Sequence, residues 1–130
     1  MNKKAYKIYT ESEEIIGRHL ANLVRKYYAI KNTKDKRLKV ADGTEAEVEV
    51  EGFNAEFHRG TYVENGKRFA IYDIVPITKL KVDSENEVSV MLTDTDGVTD
   101  WHPTYEFEFS DLCIIANKLE DSYIKLEKAA

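Results

Sequence analysis

Apolar residues recur at three- and four-residue steps through Ile16, Leu20, Leu23, Val24 and Tyr27, the spacing of one buried helix face. This predicts a helix from about Thr10 to Lys31. Thr10 and Glu13 have the separation of a capping box, and Glu11, Glu13 and Glu14 suit the positive end of the helix dipole. Arg25, Lys26 and Lys31 lie towards the other end, where cations are favoured. A second stripe, Leu112, Ile115, Leu119, Tyr123 and Leu126, predicts a C-terminal helix with Ser110 as its N-cap and Asp111 in its first turn.

Between the two stripes the period falls to two. Leu38 and Val40 alternate with Arg37 and Lys39; Asp42-Gly43 signals a turn; Ala46, Val48 and Val50 then alternate with Glu45, Glu47, Glu49 and Glu51. A two-residue turn would set Val40 against Glu45 and mix the faces. A loop of odd length, with Gly43 left-handed, sets Leu38 against Ala46, Lys39 against Glu45 and Arg37 against Glu47.

Asn65-Gly66 is the favoured two-residue hairpin turn, here between about Ala55–Glu64 and Lys67–Val75. Direct pairing sets Glu64 against Lys67, Tyr62 against Phe69 and His58 against Asp73. Phe69-Ala70-Ile71-Tyr72 and Ile74-Val75 are apolar on both faces, which predicts a central strand, with Pro76 ending it or marking an edge. Thr78, Leu80 and Val82 lead through Asp83-Ser84-Glu85-Asn86 to Val88, Val90 and Leu92, and Tyr105, Phe107 and Phe109 alternate with Glu106 and Glu108. The expected architecture is α+β: a predominantly antiparallel sheet of about six to seven short strands, in hairpins, flanked by an N-terminal and a C-terminal helix. One domain spanning residues 1–130 is expected, since two prolines and six glycines leave no room for a long flexible linker.

Composition narrows the function classes. The residues from Met1 to Tyr9 contain lysines but no continuous apolar run, and no later stretch approaches the ~20 apolar residues of a membrane span. Cys113 is the only cysteine, so an internal disulfide and a multi-cysteine zinc site are ruled out. A cytoplasmic, membrane-free protein is the expectation. The net charge of −5 is unevenly spread: residues 1–40 hold eleven Lys/Arg against four Asp/Glu, and the remaining ninety hold eight against twenty.

Two charged runs invite a binding role. Lys34, Lys36, Arg37 and Lys39, with the rest of segment 25–39, could bind phosphates of a nucleic acid or of a small molecule. Cross-strand pairing with the glutamates explains the same run without a ligand, and the acidic remainder argues against generic nucleic-acid binding. Glu47, Glu49 and Glu51, at strand spacing of roughly 6.8 Å, could instead present a negative ladder to a basic protein, with Trp101 as an aromatic anchor; an ordinary solvated strand face is the simpler account of the glutamates, and a lid on a small core is an equal account of Trp101.

His58 opposite Asp73, with Glu56 beside it, is the best acid–base pair for an enzyme, although neither a nucleophile nor an oxyanion site accompanies it. Asp94-Thr95-Asp96-Gly97 has the composition of a calcium loop but not its spacing, so a turn is expected. His19, His58 and His102 lack zinc-ligand spacing, and no phosphate-cradling glycine loop or serine-hydrolase elbow is present. No cofactor or metal is implied.

The resulting expectation is a non-catalytic adaptor, inhibitor or regulator. It would dock on another protein with a basic surface through Glu47, Glu49, Glu51 and Trp101, and self-association is compatible with it. The alternatives are a phosphate or nucleic-acid binder through segment 25–39 and an enzyme using His58 with Asp73.

Overall fold

Helix α1, Glu11–Thr33, turns its apolar stripe onto a sheet, and helix α2, Phe109–Ala129, lies beside it. The description comes from a computed structural model and covers residues 11–33, 40, 41 and 43–129. Leu20, Leu23, Val24 and Tyr27 of α1 are buried, as are Leu112, Ile115 and Leu119 of α2, while Ile16, Tyr123 and Leu126 pack at the margin. Both stripes face where their periodicity predicts. Thr10 of the expected capping box lies outside the described residues.

The fold is α+β with an antiparallel sheet, but among the described residues the sheet has four strands rather than six or seven: β1 Ala46–Glu64, β2 Lys67–Val82, β3 Val88–Thr93 and β4 Thr99–Pro103, in that spatial order. Two expected breaks are continuous strand. At Glu51-Gly52, with Gly52 at φ +63°, β1 bulges and its inward positions change from Ala46, Val48 and Val50 to Phe53, Ala55 and Phe57. β2 changes phase at the same level around Thr78, so Val75 and Ile77 face inward below it and Leu80 and Val82 above. Matched bulges of this kind bend a sheet without ending it. Pro76 sits where pairing with β3 stops, a position on that side that needs no N–H.

The alternation of Tyr105, Phe107 and Phe109 does not make a strand. Thr104–Glu106 is a single 3-10 turn, and α2 has begun by Phe109. The N-cap is Glu108 rather than Ser110: its carbonyl accepts the N–H of Leu112, and its own N–H bonds the Asp111 carboxylate. Phe107 is buried with its ring centroid 5.6 Å from that of Phe57, tying this turn to the core.

The turns behave as their residues dictate. Asn65 and Gly66 both have positive φ, 52° and 75°, as the Asn-Gly hairpin requires. Asp83 and Asp94 close two like-built loops, each carboxylate accepting two backbone N–H groups at 2.9 Å: those of Glu85 and Glu87, and those of Asp96 and Val98. The aspartate-rich loop at residues 94–97 is thus a hairpin turn. Gly43 has φ +82°, the left-handed state expected of it, but the pairing of Arg37, Leu38 and Lys39 lies outside the described residues.

Arg25 is buried in the core margin, 2% exposed. Its Nε donates to the Thr44 carbonyl at 2.9 Å and one terminal nitrogen donates to the Asp83 carbonyl at 3.2 Å. It ties α1 to the chain entering β1 and to the β2–β3 turn.

Candidate functional site

β3 pairs with β2 only from Ile77 onward, so the distal parts of β1 and β2 leave the sheet as a two-stranded ribbon. The doubly apolar run on β2 is therefore not a central strand there; β2 is central only from Ile77 to Val82. Past Phe57 and Val75 none of the described elements covers the ribbon. Tyr62, Val63, Phe69, Ile71, Tyr72 and Ile74 are 40–67% exposed. Exposed aromatic and aliphatic side chains concentrated on one element in this way are the composition of an interaction site. Register divides them between two faces: Tyr62, Phe69 and Ile71 continue the helix-facing side, and Val63, Tyr72 and Ile74 lie on the other. The Tyr62 and Phe69 rings stack, with centroids 5.2 Å apart.

At the ribbon base, Arg59 is an extra residue between His58 and Gly60, and this bulge corrects an expected contact. It moves His58 opposite Tyr72 and sets Phe57, not His58, opposite Asp73. His58 instead meets the edge of the Tyr72 ring, and Arg59 takes the carboxylate, its Nε 3.0 Å from Asp73. The Arg59 guanidinium also lies 5.2 Å from the centroid of Phe57 and reaches Asp111 at 4.0 Å. The acid–base pair suggested for an enzyme is not assembled.

Arg59 and Asp73 line a cleft of about 240 Å³, with Phe57 and Phe107 as apolar floor and His102 and Glu106 on its far wall. His102 Nδ1 and Glu106 Oε2 are 2.8 Å apart, a contact that favours the tautomer protonated at Nδ1. Sequence reading missed both pairs. The alternation around Glu106 predicts a strand, where an i, i+4 contact with His102 is excluded, and Gly60 is the sole local sign of the bulge.

Asp111 is buried beside this cleft, and its carboxyl is pushed above the usual range chiefly by desolvation. Arg59 and the Glu108 N–H oppose the shift, and the Glu108 charge adds to it. A raised folded-state value means that the ionised group costs stability as pH rises through it, and that the cost is absent below the unfolded value near ~4. Asp111→Asn removes this cost. It is expected to raise Tm at pH 7, with the gain closing towards pH 3; thermal melts across that range measure it, and an equal gain at both ends would exclude titration of Asp111 as the cause.

The outer face of the four-stranded sheet carries the other predicted residues. Glu47 and Glu49 are exposed there, but they stand opposite Lys81 and Lys79 of β2. Trp101 lies opposite Met91 in the cross-strand row of Glu49, roughly 14 Å away by strand spacing. Lys81 Nζ lies 4.2 Å from the Trp101 ring centroid. Glu51 sits at the bulge, and after burial its charge is the second influence raising the pKa of Tyr27. Of the basic segment, Arg25 is buried, Lys31 bonds the Glu49 backbone carbonyl, and Lys34, Lys36, Arg37 and Lys39 lie outside the described residues.

Among the described residues no group of three His, Cys, Asp or Glu is placed to hold a metal ion, and no helix is long and apolar enough to cross a membrane. Comparison with protein-family models, curated proteins and solved structures finds no match to this chain.

Proposed function

We propose that the chain is a non-catalytic docking domain, a small adaptor, inhibitor or regulator that binds another protein through the projecting β1–β2 ribbon. The carrying observation is the exposure of Phe69, Ile71, Tyr72 and Ile74, a run whose composition is that of a buried strand. A two-stranded ribbon is marginal by itself in water, so an apolar partner surface offsets a real cost. The glutamate ladder supports docking less well, because Lys79 and Lys81 stand across from Glu49 and Glu47. The preference for a basic partner weakens with it, and aromatic and aliphatic contacts take its place.

The test compares two double variants against a partner isolated with the wild-type chain and then purified. Tyr72→Lys with Ile74→Lys, at sites 56% and 66% exposed, is expected to leave the fold intact and weaken affinity by roughly tenfold or more. Glu49→Lys with Glu51→Lys is expected to alter mainly the association rate at low salt. Unchanged affinity in the ribbon variant, with the glutamate variant impaired, would return the docking surface to the acidic face.

A further inference from the structure

We infer that the free edge of β2 in the ribbon pairs antiparallel with the same edge of a second copy of this chain, joining two ribbons into one four-stranded platform. The inference rests on the ribbon being the docking element and says how that element is assembled.

The Asn65-Gly66 turn fixes which backbone groups are available. A two-residue hairpin closes on a mutually hydrogen-bonded pair, here Glu64 and Lys67, so β2 directs the groups of Lys67, Phe69 and Ile71 towards β1. Those of Arg68, Ala70 and Tyr72 point to the opposite side. No described strand lies there, because β3 begins pairing at Ile77. Unpaired edge groups beside apolar side chains are a template for another strand.

Self-pairing about a two-fold axis brings residues of the same face together, so only a few registers exist. Centred on Ala70, it places Lys67 against Asp73, Arg68 against the Tyr72 ring, and Phe69 against Ile71. Opposite charges, a cation on an aromatic face and two apolar side chains then meet in one step. Centring on Ile71 sets Phe69 against Asp73 and Arg68 against Ile74. Centring on Tyr72 sets Arg68 against Pro76, which has no N–H, and centring on Phe69 sets Lys67 against Ile71. Only the Ala70 register matches charge to charge. Asp73 already holds Arg59 at 3.0 Å, and its carboxylate has lone pairs left for Lys67 of the second copy.

Lys67 and Arg68 could also be read as charges that blunt the edge. Against that, the four residues after them are apolar on both faces, and proline appears only at Pro76, beyond the pairing stretch. One short edge buries less than the ~800 Å² per partner of a standard interface, so self-association on the order of 100 µM is expected.

The test is disulfide trapping in a Cys113→Ser background together with sedimentation of the unaltered chain. Hydrogen-bonded antiparallel partners have Cα atoms ~5.5 Å apart, inside the disulfide range, so Ala70→Cys should form a covalent dimer roughly tenfold faster than Ile71→Cys or Phe69→Cys. The unaltered chain should approach twice its monomer mass towards ~1 mM, and protection of the Arg68, Ala70 and Tyr72 amides should rise with concentration. Ala70→Pro should abolish the dimer while keeping the hairpin, since the N–H it removes faces the open edge. If proline disrupts the hairpin, Lys67→Glu, which sets like charges together, should still weaken the dimer several-fold. A chain that stays monomeric, trapping without preference for position 70, or amide protection independent of concentration would overturn the pairing. A monomer whose Tyr72→Lys, Ile74→Lys form still loses its partner sinks the pairing and leaves ribbon docking standing. A dimer with unaltered partner affinity does the reverse.

Discussion

Phe57→Ala is expected to lower the unfolding free energy by about 3–5 kcal/mol, the range for emptying a fully buried aromatic site. Phe57 is 0% exposed at the point where the ribbon leaves the sheet. Its ring packs on Phe107, just ahead of α2, and the Arg59 guanidinium lies over it. The site cannot collapse easily, since one wall is β-ladder and the other is tied to the helix layer. Small domains hold only ~5–15 kcal/mol in total, so the variant would be partly unfolded near physiological temperature. Urea denaturation measures the loss as a fall in midpoint at unchanged slope. Val63→Ala, at a site 67% exposed on the same strand, is the control and should cost under about 0.5 kcal/mol. A loss below about 1 kcal/mol at Phe57 would mean that the ribbon base lies outside the cooperative core.

The second large effect is at Arg25. Arg25→Met keeps much of the apolar stem and removes the guanidinium, so the Thr44 carbonyl loses this donor and the Asp83 carbonyl keeps only the Asn86 N–H, at part-buried positions that water can partly reach. A buried hydrogen bond to a charged donor is worth about 1.5–3 kcal/mol, and with both bonds part-buried a combined loss of about 1–3 kcal/mol is expected. Arg25→Lys replaces the rigid two-nitrogen fork by a single flexible ammonium and should recover only part of it. Denaturation gives the sum, and amide exchange should show the loss spreading from the β2–β3 turn. Wild-type stability in Arg25→Met would mean that α1 and this turn are held by packing alone. The same burial removes Arg25 from the residues of segment 25–39 able to meet a phosphate in solution.

What could be read from the sequence follows from how far each signal reaches along the chain. The Leu20-to-Tyr27 and Leu112-to-Leu119 stripes name the buried helix faces because a helix repeats its face every turn. Asn65-Gly66 names its turn because two positive φ angles suit few other residue pairs. The strand count failed where a local mark had two meanings. Gly52 and Pro76 can end a strand or sit within a bent one, and only the neighbouring strand decides. Tyr105, Phe107 and Phe109 alternate over too few residues to separate a strand from a 3-10 turn entering a helix. The contact of His58 with Asp73 was lost to a single extra residue, Arg59, which carries no pattern of its own. Phe69 to Ile74 read as central because apolarity on both faces reports a demand for burial, and does not say whether the chain itself supplies the cover.

The β1–β2 hairpin also bears on the order of assembly. Its rungs run from Glu64 with Lys67 at the Asn65-Gly66 tip to Ala46 with Val82 at the far end, so each closes a loop only slightly longer than the one before. Loop entropy grows slowly along such a series, and pairing can advance from the tip like a zipper. The α1–α2 contact joins segments from the two ends of the described chain, across the whole sheet sequence. It is therefore the costliest closure from the unfolded state and the one that gains most if the strands form first. Refolding rates should accordingly respond strongly to substitutions near Asn65-Gly66, while changes between α1 and α2 should mainly hasten unfolding.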